Sequence, residues 1–100
     1  MAITVGLLAL LQAKPGREDE LEAFLAAGRQ FVEQEPETLV WYALKLGGGA
    51  FGIFDAFDDE DGRNAHLNGR IPAALAEIAG DLLVEDADIR PVDIIAAKST

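Results

Sequence analysis

The run Ile3 to Leu11 (ITVGLLALL) is apolar at almost every position rather than at every second one. A strand with one face in water alternates, whereas a strand written like this has both faces covered. In a chain of 100 residues helices can cover one face of a sheet. The other face then needs a partner from outside the chain. The run is far shorter than the roughly 20 residues that cross a bilayer, and no basic segment precedes it as in a secretory signal. It reads as a strand.

Lys14-Pro15-Gly16 breaks that strand, and Glu18, Asp19 and Glu20 stand where a helix N-terminus favours negative charge. Leu21, Phe24, Leu25, Gly28, Phe31 and Val32 recur at helical spacing as one apolar stripe, with Gly28 giving room for close approach to a sheet. Pro36 ends this helix. Thr38 to Leu46 (TLVWYALKL) is β-rich, and Gly47-Gly48-Gly49 is a turn that takes positive φ freely. Ala50 to Phe57 (AFGIFDAF) returns as the second arm of a hairpin. Alternation puts Phe51, Ile53, Asp55 and Phe57 on one face and Gly52, Phe54 and Ala56 on the other.

Asp58 and Asp59 can cap a short helix running to about Leu67. Asn68-Gly69 interrupts it, and Pro72 opens another helix with the stripe Ile71, Ala74, Leu75, Ile78 and Leu82, fraying at Gly80-Asp81. Ile89 to Ala97 (IRPVDIIAA) reads as a last strand whose start Pro91 assigns to an edge or bulge. The order is β-α-β-β-α-β with the second helix broken in two. That is the ferredoxin-like α+β plan: one domain over residues 1–100, with a four-stranded antiparallel sheet and helices on one face. The bare face is expected to be buried by a second copy, making a homodimer.

Eighteen acids against eight bases give a net charge of −10. Such a surface repels phosphate backbones and anionic lipid, so neither nucleic acid nor a membrane is an expected partner. Phe51, Phe54 and Phe57 on the third strand superficially resemble the aromatic platform of RNA-recognition motifs. No basic residue precedes them and the first strand carries no aromatic, so core or pocket wall is their expected place. The chain has no cysteine, which excludes disulfides, thiolate catalysis and zinc-thiolate sites and fits a cytoplasmic protein.

Two side chains carry the candidate chemistry. His66 is the only histidine and titrates near neutrality without special help, so it is a candidate general base or proton shuttle. The plainer reading is a hydrogen-bonded or exposed helix histidine. No second ligand stands three or four residues from it, so no metal site is expected. Asp55 lies mid-strand among aromatics, where a lone charge is costly; a pairing with Arg63, Arg70 or His66 would relieve it. Trp41 and Tyr42 point to opposite faces of the second strand, so only one can line a helix-side pocket. Asp58 to Asp61 is a capped, solvated helix start with no calcium-loop pattern.

This arrangement resembles the antibiotic biosynthesis monooxygenase family of dimeric α+β barrels over nearly the whole chain. The motifs that carry the resemblance are Glu35-Pro36 after the first helix, Tyr42 on the next strand, Phe54-Asp55 on the aromatic strand and His66-Leu67 at the helix end. The haem-degrading branch is set aside, because the first strand offers only Thr4 and Gln12 as polar side chains and the third has no tryptophan. The resemblance implies a homodimer and a cofactor-independent oxygenase that uses no flavin, haem or metal. A small phenolic, quinol or anthrone-like compound is deprotonated there, and the resulting anion itself reduces O₂. On that reading His66 is the base or shuttle and Asp55 orients it or holds a substrate hydroxyl. Trp41 or Tyr42 with Phe54 then sandwiches the ring, with Arg70 in the binding set. Two other uses of the same pocket are a non-catalytic, stress-associated binding dimer and a non-oxidative isomerase. A buried His66 and Asp55 sharing a cavity favour an enzyme; a filled pocket with His66 turned to solvent favours the binding protein.

Overall fold

The structure, a computed structural model, describes residues 2–98. Its elements are β1 (Val5–Gln12), α1 (Glu18–Val32), β2 (Thr38–Gly47), β3 (Ala50–Phe57), α2 (Glu60–Leu67), α3 (Arg70–Leu82) and β4 (Asp88–Asp93). The four strands form one sheet in the order β2-β3-β1-β4, and every neighbouring pair is antiparallel. This is the ferredoxin-like arrangement, with β1 and β3 in the middle and β2 and β4 at the edges.

Local chemistry sets the boundaries. α1 begins on three acids that face its positive end and carries Arg29 in its last turn. The glycine turn between β2 and β3 uses positive φ at Gly47, Gly48 and Gly49 (91°, 62° and 81°). Asp59 caps α2 by accepting a hydrogen bond from the Gly62 N–H at 2.9 Å. α3 starts at Arg70, so Pro72 falls inside its first turn, where a missing N–H costs nothing. The helix continues through Gly80-Asp81 rather than fraying there, because Leu82 and Leu83 are buried and hold its end.

β1 starts at Val5 rather than Ile3, and β4 ends at Asp93 rather than Ala97. The two shortfalls have one cause: the ladder between them closes at Val5↔Asp93, followed by a single bond from Ile94 N–H to the Thr4 carbonyl at 2.9 Å. Beyond it β4 has no strand to pair with. Pro91 sits on that edge strand, opposite Leu7.

The core lies between the sheet and the helices. Ala9, Leu11, Phe51 and Ile53 rise from the sheet to meet Leu21, Leu25 and Val32 of α1 and Ile71, Leu75 and Ala79 of α3. On the opposite face Leu8, Leu10 and Phe54 are half-buried, and Tyr42, Leu44 and Leu46 are exposed. That face is apolar and carries no helix.

Candidate functional site

Three elements converge on one buried group of ionisable side chains. β3 supplies Asp55, flanked in register by Leu7 of β1 and Trp41 of β2. α2, whose start is fixed by the Asp59 cap, lays His66 over the sheet with its ring 5.5 Å from that of Phe57. The turn after α1, stopped by Pro36, supplies Glu35. His66 Nδ1 lies 2.6 Å from Glu35 Oε1 and His66 Nε2 lies 3.1 Å from Asp55 Oδ2. His66 is 5% exposed and Asp55 2%. Thr38 Oγ1 also donates to Glu35 Oε1, at 2.8 Å.

The charge state follows from this geometry. A neutral imidazole has one N–H and one lone pair, and whichever carboxylate faced the lone pair would be repelled. A protonated ring satisfies both. Burial is the largest single influence on His66 and pushes its pKa down; the hydrogen bonds and charges of Asp55 and Glu35 together outweigh it, so the pKa is raised above the ordinary histidine value. Two carboxylates flanking the ring, one at each nitrogen, therefore favour its imidazolium form.

Space opens on both sides of it. A groove of about 400 Å³ is lined by Phe31, Glu35, Thr38, Ala65, His66 and Arg70 among others. Inside, a cavity of about 20 Å³ touches Asp55 and His66 among apolar side chains that include Ile71 and Leu75. A second apolar cavity of about 60 Å³ lies against Trp41, Phe24, Phe31 and Ile71. Two buried polar atoms have no protein partner among the described residues: the donor Trp41 Nε1 and the acceptor Asp55 Oδ1. They belong to residues directly opposite each other on β2 and β3. Arg70 places its guanidinium carbon 5.6 Å from the centre of the Phe31 ring, at the rim of the groove. Among the described residues no group of three or more potential ligands could hold a metal ion.

The structure thus brings His66, Asp55, Trp41 and Arg70 to the helix side of the sheet. It does not bring Tyr42 or Phe54 there. Those two are register partners on the opposite face, so the expected sandwich of a ring between Phe54 and Tyr42 or Trp41 is not built in this pocket. Trp41 is the residue of the Trp41–Tyr42 pair that faces inward, its indole packed against Gly28 of α1. The role of a free base at His66 also meets an obstacle, since both its nitrogens face carboxylates. Asp55 has His66, rather than Arg63 or Arg70, as its ion-pair partner. Glu35 and Thr38 are the site residues that reading the sequence missed as chemistry. Glu35-Pro36 figured only as a helix stop and a family motif, and the 31 positions between Glu35 and His66 leave no local pattern that joins them.

Neither a protein-family model nor a protein of curated function matches the sequence. Solved structures do. A protein of unknown function from Nitrosomonas europaea, NE2512, is 46% identical, with a TM-score of 0.95 over 98% of this chain and 95% of that one. A second Nitrosomonas europaea protein, proposed to be an antibiotic biosynthesis monooxygenase, is 10% identical, with a TM-score of 0.81 over 96% of this chain and 94% of its own. A structure named antibiotic biosynthesis monooxygenase is 16% identical, with a TM-score of 0.77 over 92% and 99% of the two chains. The fold is that of the antibiotic biosynthesis monooxygenases, so the resemblance read in the sequence stands at the level of the fold. The chain belongs to one family with NE2512.

Proposed function

We propose that the protein is a cofactor-independent monooxygenase of a small phenolic, quinol or anthrone-like compound, working as a homodimer. The observation that carries this reading is the buried Glu35–His66–Asp55 chain opening onto a groove of about 400 Å³. That volume lies within the range that takes a small ligand. A buried ion triad is expensive to keep, and perturbed titratable groups beside a cavity cluster at functional sites. The unpartnered Trp41 Nε1 and Asp55 Oδ1 give the same kind of support, because buried polar atoms without partners mark places that a ligand or water completes.

In this reading the substrate gives up a proton to the triad, and its anion is held by Arg70 at the groove rim. The anion passes electrons to O₂. One oxygen atom is bonded to the substrate carbon, and the other leaves as water with the two hydrogens the substrate loses. Both come from the methylene of an anthrone, or one from a ring carbon and one from a hydroxyl of a phenol or quinol. The bare sheet faces of two copies pack together and leave one groove in each. Among the described residues no helix is long and apolar enough to cross a membrane.

The test is O₂ uptake under chelator with a panel of anthrones and quinols, comparing the wild type with His66→Ala. Uptake above autoxidation that survives the chelator and collapses in the variant is expected. Uptake absent with every panel member would overturn oxygenation and leave a binding protein or an isomerase. The engagement of both His66 nitrogens by carboxylates is the observation that favours such a non-oxidative reading.

A further inference from the structure

We infer that the group meeting the substrate hydroxyl is Glu35, with His66 an imidazolium that positions it and Asp55 the buried anchor of that imidazolium. The inference rests on the reading of the groove as a phenol site and deepens it. His66 cannot both point a lone pair at a substrate and face Glu35 through Nδ1 and Asp55 through Nε2, at 2.6 and 3.1 Å. Of the three groups only Glu35 is appreciably open to the groove, its side chain 21% exposed against 4% for each of the other two. Its two oxygens are unlike. Oε1 is taken by His66 and Thr38, whereas Oε2 lies beside Gly69 on the groove wall, 3.3 Å from where a Cβ on that glycine would stand.

The charged and polar groups around His66 are few. They are Glu35 with Thr38 behind it from the α1–β2 turn and the start of β2, and Asp55 from β3; α3 presents Ile71 and Leu75. Among the described residues His66 forms ion pairs with these two carboxylates alone.

The chemistry balances without His66 changing state. The substrate O–H bond breaks, its proton goes to Glu35 Oε2, and the electron pair stays on the phenolate oxygen. Glu35 later gives the proton to the reduced oxygen atom that leaves as water. A carboxylate can serve as base toward a weak carbon or oxygen acid when the resulting oxyanion is held by a strong donor. Arg70, stacked over Phe31 on the same groove, is such a donor. Among the described residues it forms no ion pair with a protein carboxylate.

Because His66 is the only histidine, its ring nitrogens can be followed by NMR without assignment. The experiment pairs that spectrum with kinetics and with binding of 4-nitrophenol. At neutral pH the wild type is expected to show an imidazolium with two slowly exchanging N–H protons, and Glu35→Gln is expected to lower the pH at which the ring titrates. Glu35→Gln should reduce kcat by on the order of 10²-fold or more with little change in KM, and Glu35→Asp should recover part of the loss. The acid limb of the wild-type pH profile should vanish in Glu35→Gln. 4-Nitrophenolate absorbance on binding should fall in the same variant.

A neutral ring with one bare nitrogen at pH 7 would overturn the inference and return the base to His66. So would a Glu35→Gln enzyme with wild-type kcat, or with unchanged nitrophenol binding and absorbance. If the wild type consumes no O₂ with any panel member, oxygenation alone fails, and the spectrum and the nitrophenol titration still decide the role of Glu35.

Discussion

A histidine between two carboxylates ties the ionisation of one residue to the stability of the whole chain. His66 titrates near pH 6.5 when unfolded, and its folded pKa is raised. Its protonation therefore contributes stability that is fully present below about pH 6.5 and is lost as pH rises through the folded pKa. Within that window the folded state holds one more proton than the unfolded state. The unfolding free energy should fall by up to about 1.4 kcal/mol per pH unit there. Urea titrations at half-unit pH steps would show this slope, and His66→Gln should flatten it. A wild-type curve already flat above pH 6.5 would mean that the folded triad holds no extra proton there and that the ring is neutral between its two carboxylates. The solvent-exposed pairs, such as Arg17–Glu20 at the start of α1 and Lys45–Glu22 between β2 and α1, are expected to add little.

At the scale of elements, Asp55 is positioned by the contact of β1 with β3, and Gly6 is the residue that allows it. A Cβ built on Gly6 would lie 2.6 Å from the Asp55 carbonyl oxygen, a backbone atom that cannot swing aside. Gly6→Ala should therefore push the two central strands apart next to the triad, at a cost of about 1–3 kcal/mol. Faster amide exchange at residues 54–57 should accompany the loss. An unchanged denaturation midpoint would show that the strands absorb the methyl.

Strand β3, the glycine turn and the Asp59 cap were legible in the sequence, because each rests on local chemistry: alternation, positive φ, and a carboxylate three residues before an N–H. The face of Trp41 was not. Continuing the hairpin from Gly47↔Ala50 without interruption would set Trp41 opposite Ala56, on the bare side. The irregularity between Lys45 and Gly47 slips the register by one and sets Trp41 opposite Asp55. A slip of one residue exchanges the two faces of a strand, and nothing in the composition of Leu44 to Gly47 announces it. Glu35 escaped notice for a related reason. It meets His66 across 31 positions of sequence, a distance over which no periodicity carries information.

The whole molecule poses a conflict between shape and charge, and its resolution is a prediction. Its sheet leaves Tyr42 at 59%, Leu46 at 54% and Leu44 at 39% exposure on a face with no helix, while Ile95, after β4, is fully exposed. A single small domain rarely leaves so apolar a face in water. Covering it with a second copy brings together two bodies that each carry a net charge of −10. Repulsion between them is screened by salt, whereas apolar burial is not weakened by it. The dimer should therefore tighten as ionic strength rises, the reverse of an interface built on ion pairs. Sedimentation equilibrium should report twice the 10.7 kDa chain mass, with a dissociation constant that falls between low and moderate salt. Leu44→Asp is the matching variant. In a monomer it changes an exposed position and should alter stability by no more than about 0.5 kcal/mol. In a face-to-face dimer it buries a carboxylate in each subunit, and the complex should separate into folded monomers. A wild-type protein that sediments at the single-chain mass at every salt concentration would leave the bare face uncovered and remove the homodimer from the proposal.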